Sequence, residues 1–253
     1  MAYKIIIDPG HGGEDFGASY QGRLEKDDNL NLVLAVGQLL SENGIDVVYT
    51  RTTDMYNTPT EKAMMGNMAN ADYFVSIHRN SSQTPNTYNG VQTLVYDPSG
   101  IKLEMAENVN NQLENLGFDN LGISTRPNLA VLRRTRMPAI LIEAGFINSD
   151  EDNALFDERF SDIATGIATG ILDTLDMGQL TETPMYRVQT GSFDNIDSAS
   201  ALARKLVADG YQAYITEINN LYKVLVGEFV NLQDAINLEN RLRTDGYATF
   251  ITT

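Results

Sequence analysis

An internal repeat near the end of the chain restricts its fold more than any other feature. Residues 186–216 recur as residues 222–252, with Tyr186/Tyr222, Val188/Val224, Gly191/Gly227, Phe193/Phe229, Gly210/Gly246 and Tyr211/Tyr247 all offset by 36. Chance does not align that many positions at one fixed offset. Each copy alternates apolar and polar residues as a half-buried strand does, turns at Gly, runs as an amphipathic helix (198–209 in the first copy), stops at Gly and ends in a second strand. Two β-α-β units make a small ferredoxin-like βαββαβ domain, four strands with both helices on one face and the other face open. If Val188 and Val224 face the helices, alternation puts Arg187, Gln189, Lys223 and Leu225 on the open face. Tyr214 and Phe250 are the equivalent positions on the other strands. Exposed aromatics beside polar and basic groups suit stacking on sugar rings; ordinary strand propensity, or an edge packed against the rest of the chain, accounts for the two rings equally simply.

Upstream, residues 176–184 are polar, contain Gly and Pro and show no periodicity, which marks a linker. The expected organisation is a first domain over 1–176, a linker over 177–184 and the repeat domain over 185–253. Of the net charge of −16, residues 1–180 carry −13, so the acidity belongs to the first domain and a nucleic-acid partner is not expected. The absence of cysteine excludes disulfides, cysteine-ligated metal and a thiol nucleophile. The first ten residues contain too short an apolar run for a signal peptide, and no run reaches a membrane span of about 18 residues, so the expectation is synthesis in the cytoplasm without a signal peptide and no membrane insertion.

The first domain alternates apolar runs (4–7, 46–50, 73–77, 91–96, 139–142) with helical patterns (29–43, 60–70, 101–116, 160–175). Continuous rather than alternating strands predict an α/β fold: a mostly parallel twisted sheet with helices on both faces. Both histidines of the chain follow such strands, His11 after Ile5-Ile6-Ile7 and His78 after Phe74-Val75-Ser76-Ile77, and Glu143 follows Ile140-Leu141-Ile142. Carboxyl ends of strands are where open α/β sheets bind ligands. Two histidines and a carboxylate meeting there suit a catalytic zinc site, which uses three protein ligands and leaves a position for water. With no further His or Cys, the third ligand is an Asp or Glu. Glu25, just before a helix, is the leading candidate; complementing a helix dipole is its bland role, and Asp8, Glu14 and Asp15 are rivals.

The segments IDPGHGGEDFGA (7–18), GRLEKDDNL (22–30), SIHRN (76–80) and MPAILIEAGFINSDED (137–152), in this order, resemble the zinc-dependent N-acetylmuramoyl-L-alanine amidases of the amidase-3 type. The resemblance covers roughly residues 3–175 and implies Zn2+ held by His11, Glu25 and His78, with Glu143 as the catalytic carboxylate. It implies hydrolysis of the amide between N-acetylmuramic acid and the L-alanine of the stem peptide. Arg79 departs from the small residue usual after the second histidine and is read as reaching substrate carboxylates or lining the cleft. Arg133 matches an arginine usual in the family and is read as holding the substrate's peptide. The repeat, with YRVQTGSF and YKVLVGEF, resembles a SPOR domain, which implies binding to bacterial cell-wall peptidoglycan, in particular to glycan freed of its peptides. Such a pairing suits a phage endolysin released through holin-made holes or a sporulation enzyme freed by mother-cell lysis. The competing classes are a zinc peptidase acting within the stem peptide, a non-catalytic wall-binding protein, and a regulatory pseudoenzyme.

Overall fold

A computed structural model describes residues 3–177, 185–218, 221–229 and 232–252, without the side chains of Leu232 and Gln233. The chain divides into two compact units, residues 1–182 and 183–253. The expected linker, 177–184, lies outside the described residues apart from Met177.

The first unit is built around six strands: β1 (Lys4–Pro9), β4 (Asp46–Tyr49), β5 (Tyr73–Asn80), β6 (Val91–Val95), β7 (Asn120–Thr125) and β8 (Ala139–Phe146). Their order is β4-β1-β5-β8-β6-β7, and every pairing is parallel except β6 with β8. The mostly parallel sheet expected from the sequence is therefore present. Residues 5–7 are fully buried, as a strand covered on both faces requires. On one face, Ile6, Phe74, Leu94 and Leu141 form an apolar layer with Val131 and Leu132. That layer is roofed by α2 (Pro59–Ala69) and α4 (Ala130–Arg133). The opposite face is covered by α1 (Glu25–Glu42), α3 (Ile101–Glu114), α5 (Asp150–Glu158) and α6 (Phe160–Thr174). A two-stranded hairpin, β2 (Ser19–Tyr20) and β3 (Arg23–Leu24), precedes α1.

Several boundaries differ from the sequence reading in ways that matter for the site. β5 and β8 continue past His78 and Glu143, so both residues lie inside strands, directly opposite each other in register. α1 begins at Glu25 rather than at 29, with no side-chain cap from Leu24. Its first amides instead bind carbonyls of the preceding loop, Glu25 to Ala18 at 3.0 Å and Lys26 to Phe16 at 3.2 Å. By contrast α2 opens as its sequence suggests, with a reciprocal capping box between Thr58 and Glu61.

The second unit runs β9 (Tyr186–Phe193), α7 (Ile196–Ala208), β10 (Ala213–Ile218), β11 (Leu221–Phe229), α8 (Leu232–Thr244) and β12 (Phe250–Thr252), the βαββαβ order expected from the repeat. Its antiparallel sheet is ordered β10-β11-β9-β12. Val188 and Val224 are fully buried. The duplicated residues clasp reciprocally: the Tyr211 hydroxyl donates to Asp245 at 2.5 Å, and the Tyr247 hydroxyl donates to Asp209.

Candidate metal centre

The turn after β1 carries His11 at φ 61°, in the left-handed region that a β-carbon makes costly. Gly10 precedes it, and a β-carbon at Gly10 would lie 2.3 Å from the His78 ring, so the glycine is what lets the two histidines approach. The imidazole centroids are 4.9 Å apart, edge to face. Glu25, the first residue of α1 and almost wholly buried, lies between them. Its Oε1 is 3.1 Å from His11 Nε2 and 2.9 Å from His78 Nδ1, while the Ala18 amide and the Asn29 side chain hold the carboxylate in place.

The three ligand atoms lie within 4.8 Å of one another. A tetrahedral ion with bonds of about 2.0–2.1 Å places its ligands roughly 3.3 Å apart, so this set fits zinc in both chemistry and spacing. Of the rival carboxylates, Glu14 is exposed. Asp8 is buried against Lys62, 3.0 Å away. Asp15 Oδ2 lies 2.9 Å from His11 Nδ1, the place of an outer carboxylate that would orient a ligating imidazole.

Electrostatics follow from that geometry. Burial alone would raise the Glu25 carboxyl, but the two imidazoles outweigh it and hold the group well below the usual carboxylate range. Burial works to lower His11, yet Glu25 and Asp15 leave it above its ordinary value. Glu143 behaves differently. Burial pushes it up to about 7 against the pull of His78, with Glu25 raising it further and His11 and Arg126 lowering it. Its Oε2 is shut off from solvent and has no hydrogen-bond partner, which is the condition of a carboxyl waiting for a proton donor. A cleft of about 240 Å³ opens beside the histidines, lined by Asp8, Pro59, Lys62, Leu129, Val131 and Leu141 among others.

Arg79 corrects the sequence reading. Following His78 in a strand that continues, it points to the opposite face, where its side chain is fully buried. It bonds Asp28 at 2.7 Å and Asn153 at 2.9 Å, and lies 4.0 Å over the Phe156 ring. Burial lowers its pKa while Asp28 opposes the shift. It secures α1 and α5 to the sheet and is not presented to a substrate. Arg133 is exposed at the end of α4. The arginine whose charge acts on Glu143 is Arg126, just after β7, a strand that the sequence reading did not find; the short apolar alternation around Ile123, broken by Gly122, was its only signal.

In the second unit, Tyr214, Leu225, Gln189 and Phe250 stand in one row across all four strands. Gln189 and Leu225, on the two central strands, are each only 4 % exposed, so the face is not open at its middle as expected. Arg187 and Tyr214 converge on the Glu228 carboxylate, at 3.1 and 2.9 Å. Burial lowers the pKa of Lys223. The Gln189 Oε1 is buried without a partner.

Comparison with known proteins agrees with this division. Residues 5–173 match the Amidase_3 family, described as N-acetylmuramoyl-L-alanine amidase, and residues 183–253 match the SPOR domain. The sporulation-specific N-acetylmuramoyl-L-alanine amidase of Bacillus subtilis (strain 168) is 32 % identical over 218 residues, 84 % of each chain. The endolysin of Bacillus phage SPP1 is 34 % identical over 186 residues, 70 % of this chain and 68 % of its own. The crystal structure of the N-acetylmuramoyl-L-alanine amidase from Clostridium difficile 630 superposes with a TM-score of 0.65 at 37 % identity, covering 69 % of this chain and 97 % of that one.

Proposed function

The chain belongs to the Amidase_3 family of N-acetylmuramoyl-L-alanine amidases and ends in a SPOR domain, and from that premise we propose a zinc-assisted route for its activity. The protein is a peptidoglycan amidase targeted to the cell wall. The bond cut joins the lactyl group of N-acetylmuramic acid to the L-alanine of the stem peptide, and His11, Glu25 and His78 hold the metal. Zinc bound there supplies Lewis acidity, polarising the scissile carbonyl and bringing the pKa of water to about 7.

The observation that carries the reading is the convergence of three ligand atoms beside a carboxyl with an orphan oxygen. Glu143 takes a proton from the attacking water and returns it to the departing amine of L-alanine. A carboxyl lifted towards neutrality by burial can do both. Asp15, bonded to the far nitrogen of His11, fixes which imidazole nitrogen faces the metal. Arg126 and Arg133, both exposed near the cleft segment 128–131, are the cations available to the stem peptide's carboxylates. In the tail, the partly exposed Arg187, Tyr214, Lys223 and Phe250 are the side chains available for glycan contact, around the buried Gln189 and Leu225. Among the described residues no helix is long and apolar enough to cross a membrane. Release to the wall by holin action or mother-cell lysis is part of this proposal; its relatives include a protein named endolysin and one named a sporulation-specific amidase.

Digestion of purified peptidoglycan, followed by end-group analysis, tests the activity. New N-terminal L-alanine is expected, disappearing with a chelator and returning with zinc. New termini inside the stem peptide would make the protein a peptidase, and binding without new termini would make it a wall-binding protein only.

A further inference from the structure

Two buried cations that the proposed reaction does not use lie behind the His11 turn. Arg51 is 3 % exposed and Lys62 4 %. The Arg51 guanidinium donates to five backbone carbonyls: Nε to His11 at 2.8 Å and Pro9 at 3.3 Å, Nη2 to Lys26 at 2.9 Å and Gly10 at 3.0 Å, and Nη1 to Thr53 at 3.2 Å. Lys62 Nζ reaches the same turn, at 2.7 Å from the Pro9 carbonyl and 3.4 Å from that of His11. It is held from below by Asp8, which also accepts from Thr50 at 2.5 Å and Ser76 at 2.7 Å.

Three successive carbonyls, Pro9, Gly10 and His11, thus turn inward to cations. Buried carbonyls need donors, and a charged donor makes the stronger bond. With its carbonyls fixed on that side, the turn holds His11 at a positive φ that it would leave if free, and the imidazole is left facing Glu25. Gly12 completes the fit, since a β-carbon there would meet the Met55 carbonyl at 2.2 Å and Arg51 Nε at 2.9 Å.

We propose that Arg51, supported by Lys62, is a positioning residue that presets His11 for the metal by fastening the carbonyls of the turn. The proposal rests on the reading of His11 as a ligand. It can be tested by sign, because Coulomb's law gives the opposite answer: a buried cation repels a nearby dication, so removing it on charge grounds alone tightens zinc binding. Positioning requires the reverse.

The experiment measures zinc affinity of the full chain by chelator competition, alongside the visible absorption of the cobalt-substituted protein and the melting temperature of the metal-free protein. Arg51→Met is expected to weaken zinc about 10- to 100-fold, the range for residues that orient ligands, and to alter the cobalt spectrum. Arg51→Lys, with three donors for five carbonyls, is expected to lose less, and this graded rescue also decides the matter if Arg51→Met does not fold. Unchanged or tighter zinc binding in the folded variants, whatever their melting temperature, overturns the proposal. His11→Ala separates the two readings: if it binds zinc as the parent does, the assignment of the ligand has failed, whereas loss of zinc in His11→Ala with none in the Arg51 variants defeats the positioning role alone.

Discussion

The two units of this protein place their polar groups differently. In the first, ionisable side chains are unique to their positions and gathered at one end of three adjacent strands, with one carboxyl oxygen left unpaired. In the second, residues related by the repeat satisfy one another, as Tyr211 with Asp245 and Tyr247 with Asp209 do. Among the positions at which the two copies differ, Gln189 against Leu225 and Tyr214 against Phe250 fall in a single row across the sheet. The duplicated residues hold the tail together, and the row proposed to meet the wall is drawn from positions that differ between the copies.

The strongest way to break this contrast is Glu143→Gln, which keeps the shape and removes the proposed base. Turnover is expected to fall by about 10² to 10⁴ while zinc content stays at the parent's level, read by kinetics and metal analysis together. Zinc lost with activity would instead make Glu143 a ligand and its orphan oxygen a coordinating atom.

Removing the tail has a smaller effect and a selective one. Residues 1–176 are expected to cut soluble muropeptides at close to the full rate but to clear intact sacculi roughly 10²-fold more slowly, because tethering raises the local concentration of substrate. Equal losses on both substrates would show that the tail supports the first unit rather than delivering it.

The finest test lies within the tail. Gln189→Ala with Tyr214→Ala is expected to weaken pelleting with peptide-stripped sacculi by about tenfold, in line with the loss of one or two central contacts. Tyr211→Phe, which breaks half of the symmetric clasp, should leave pelleting unchanged and lower the melting temperature of the tail. If the two variants exchange these effects, duplicated positions recognise the wall and the mismatched row does not.

Much of this was legible in the residues. Apolar runs ending near His11 and His78 point to one sheet edge, and the offset of 36 predicts βαββαβ in full. Strand ends were harder to read because Arg79 and Glu143 are charged, and a charge normally marks the limit of a buried run. Here each has a local reason to be inside: Arg79 has Asp28 and the Phe156 ring, and Glu143 lies beside His78 of the candidate metal centre. Once β5 is known to continue, alternation alone sends Arg79 away from His78. The start of α1 was hidden for another reason. Leu24 offers no cap, and the carbonyls of Phe16 and Ala18 that replace one come from a separate loop. Arg51 gave no signal at all, since its partners are backbone groups, which no sequence pattern reports.

The position of Glu143 inside a strand has one more consequence. His78 and Glu143 sit on adjacent rungs of a hydrogen-bonded ladder, with Gln92 of β6 on the next. The cleft beside them is lined in part by that ladder, through His78 and Leu141, and in part by residues outside it, among them Asn57, Pro59 and 128–131. An engineer could therefore exchange the segments outside the ladder to reshape the cleft while leaving His78 and Glu143 on their strands.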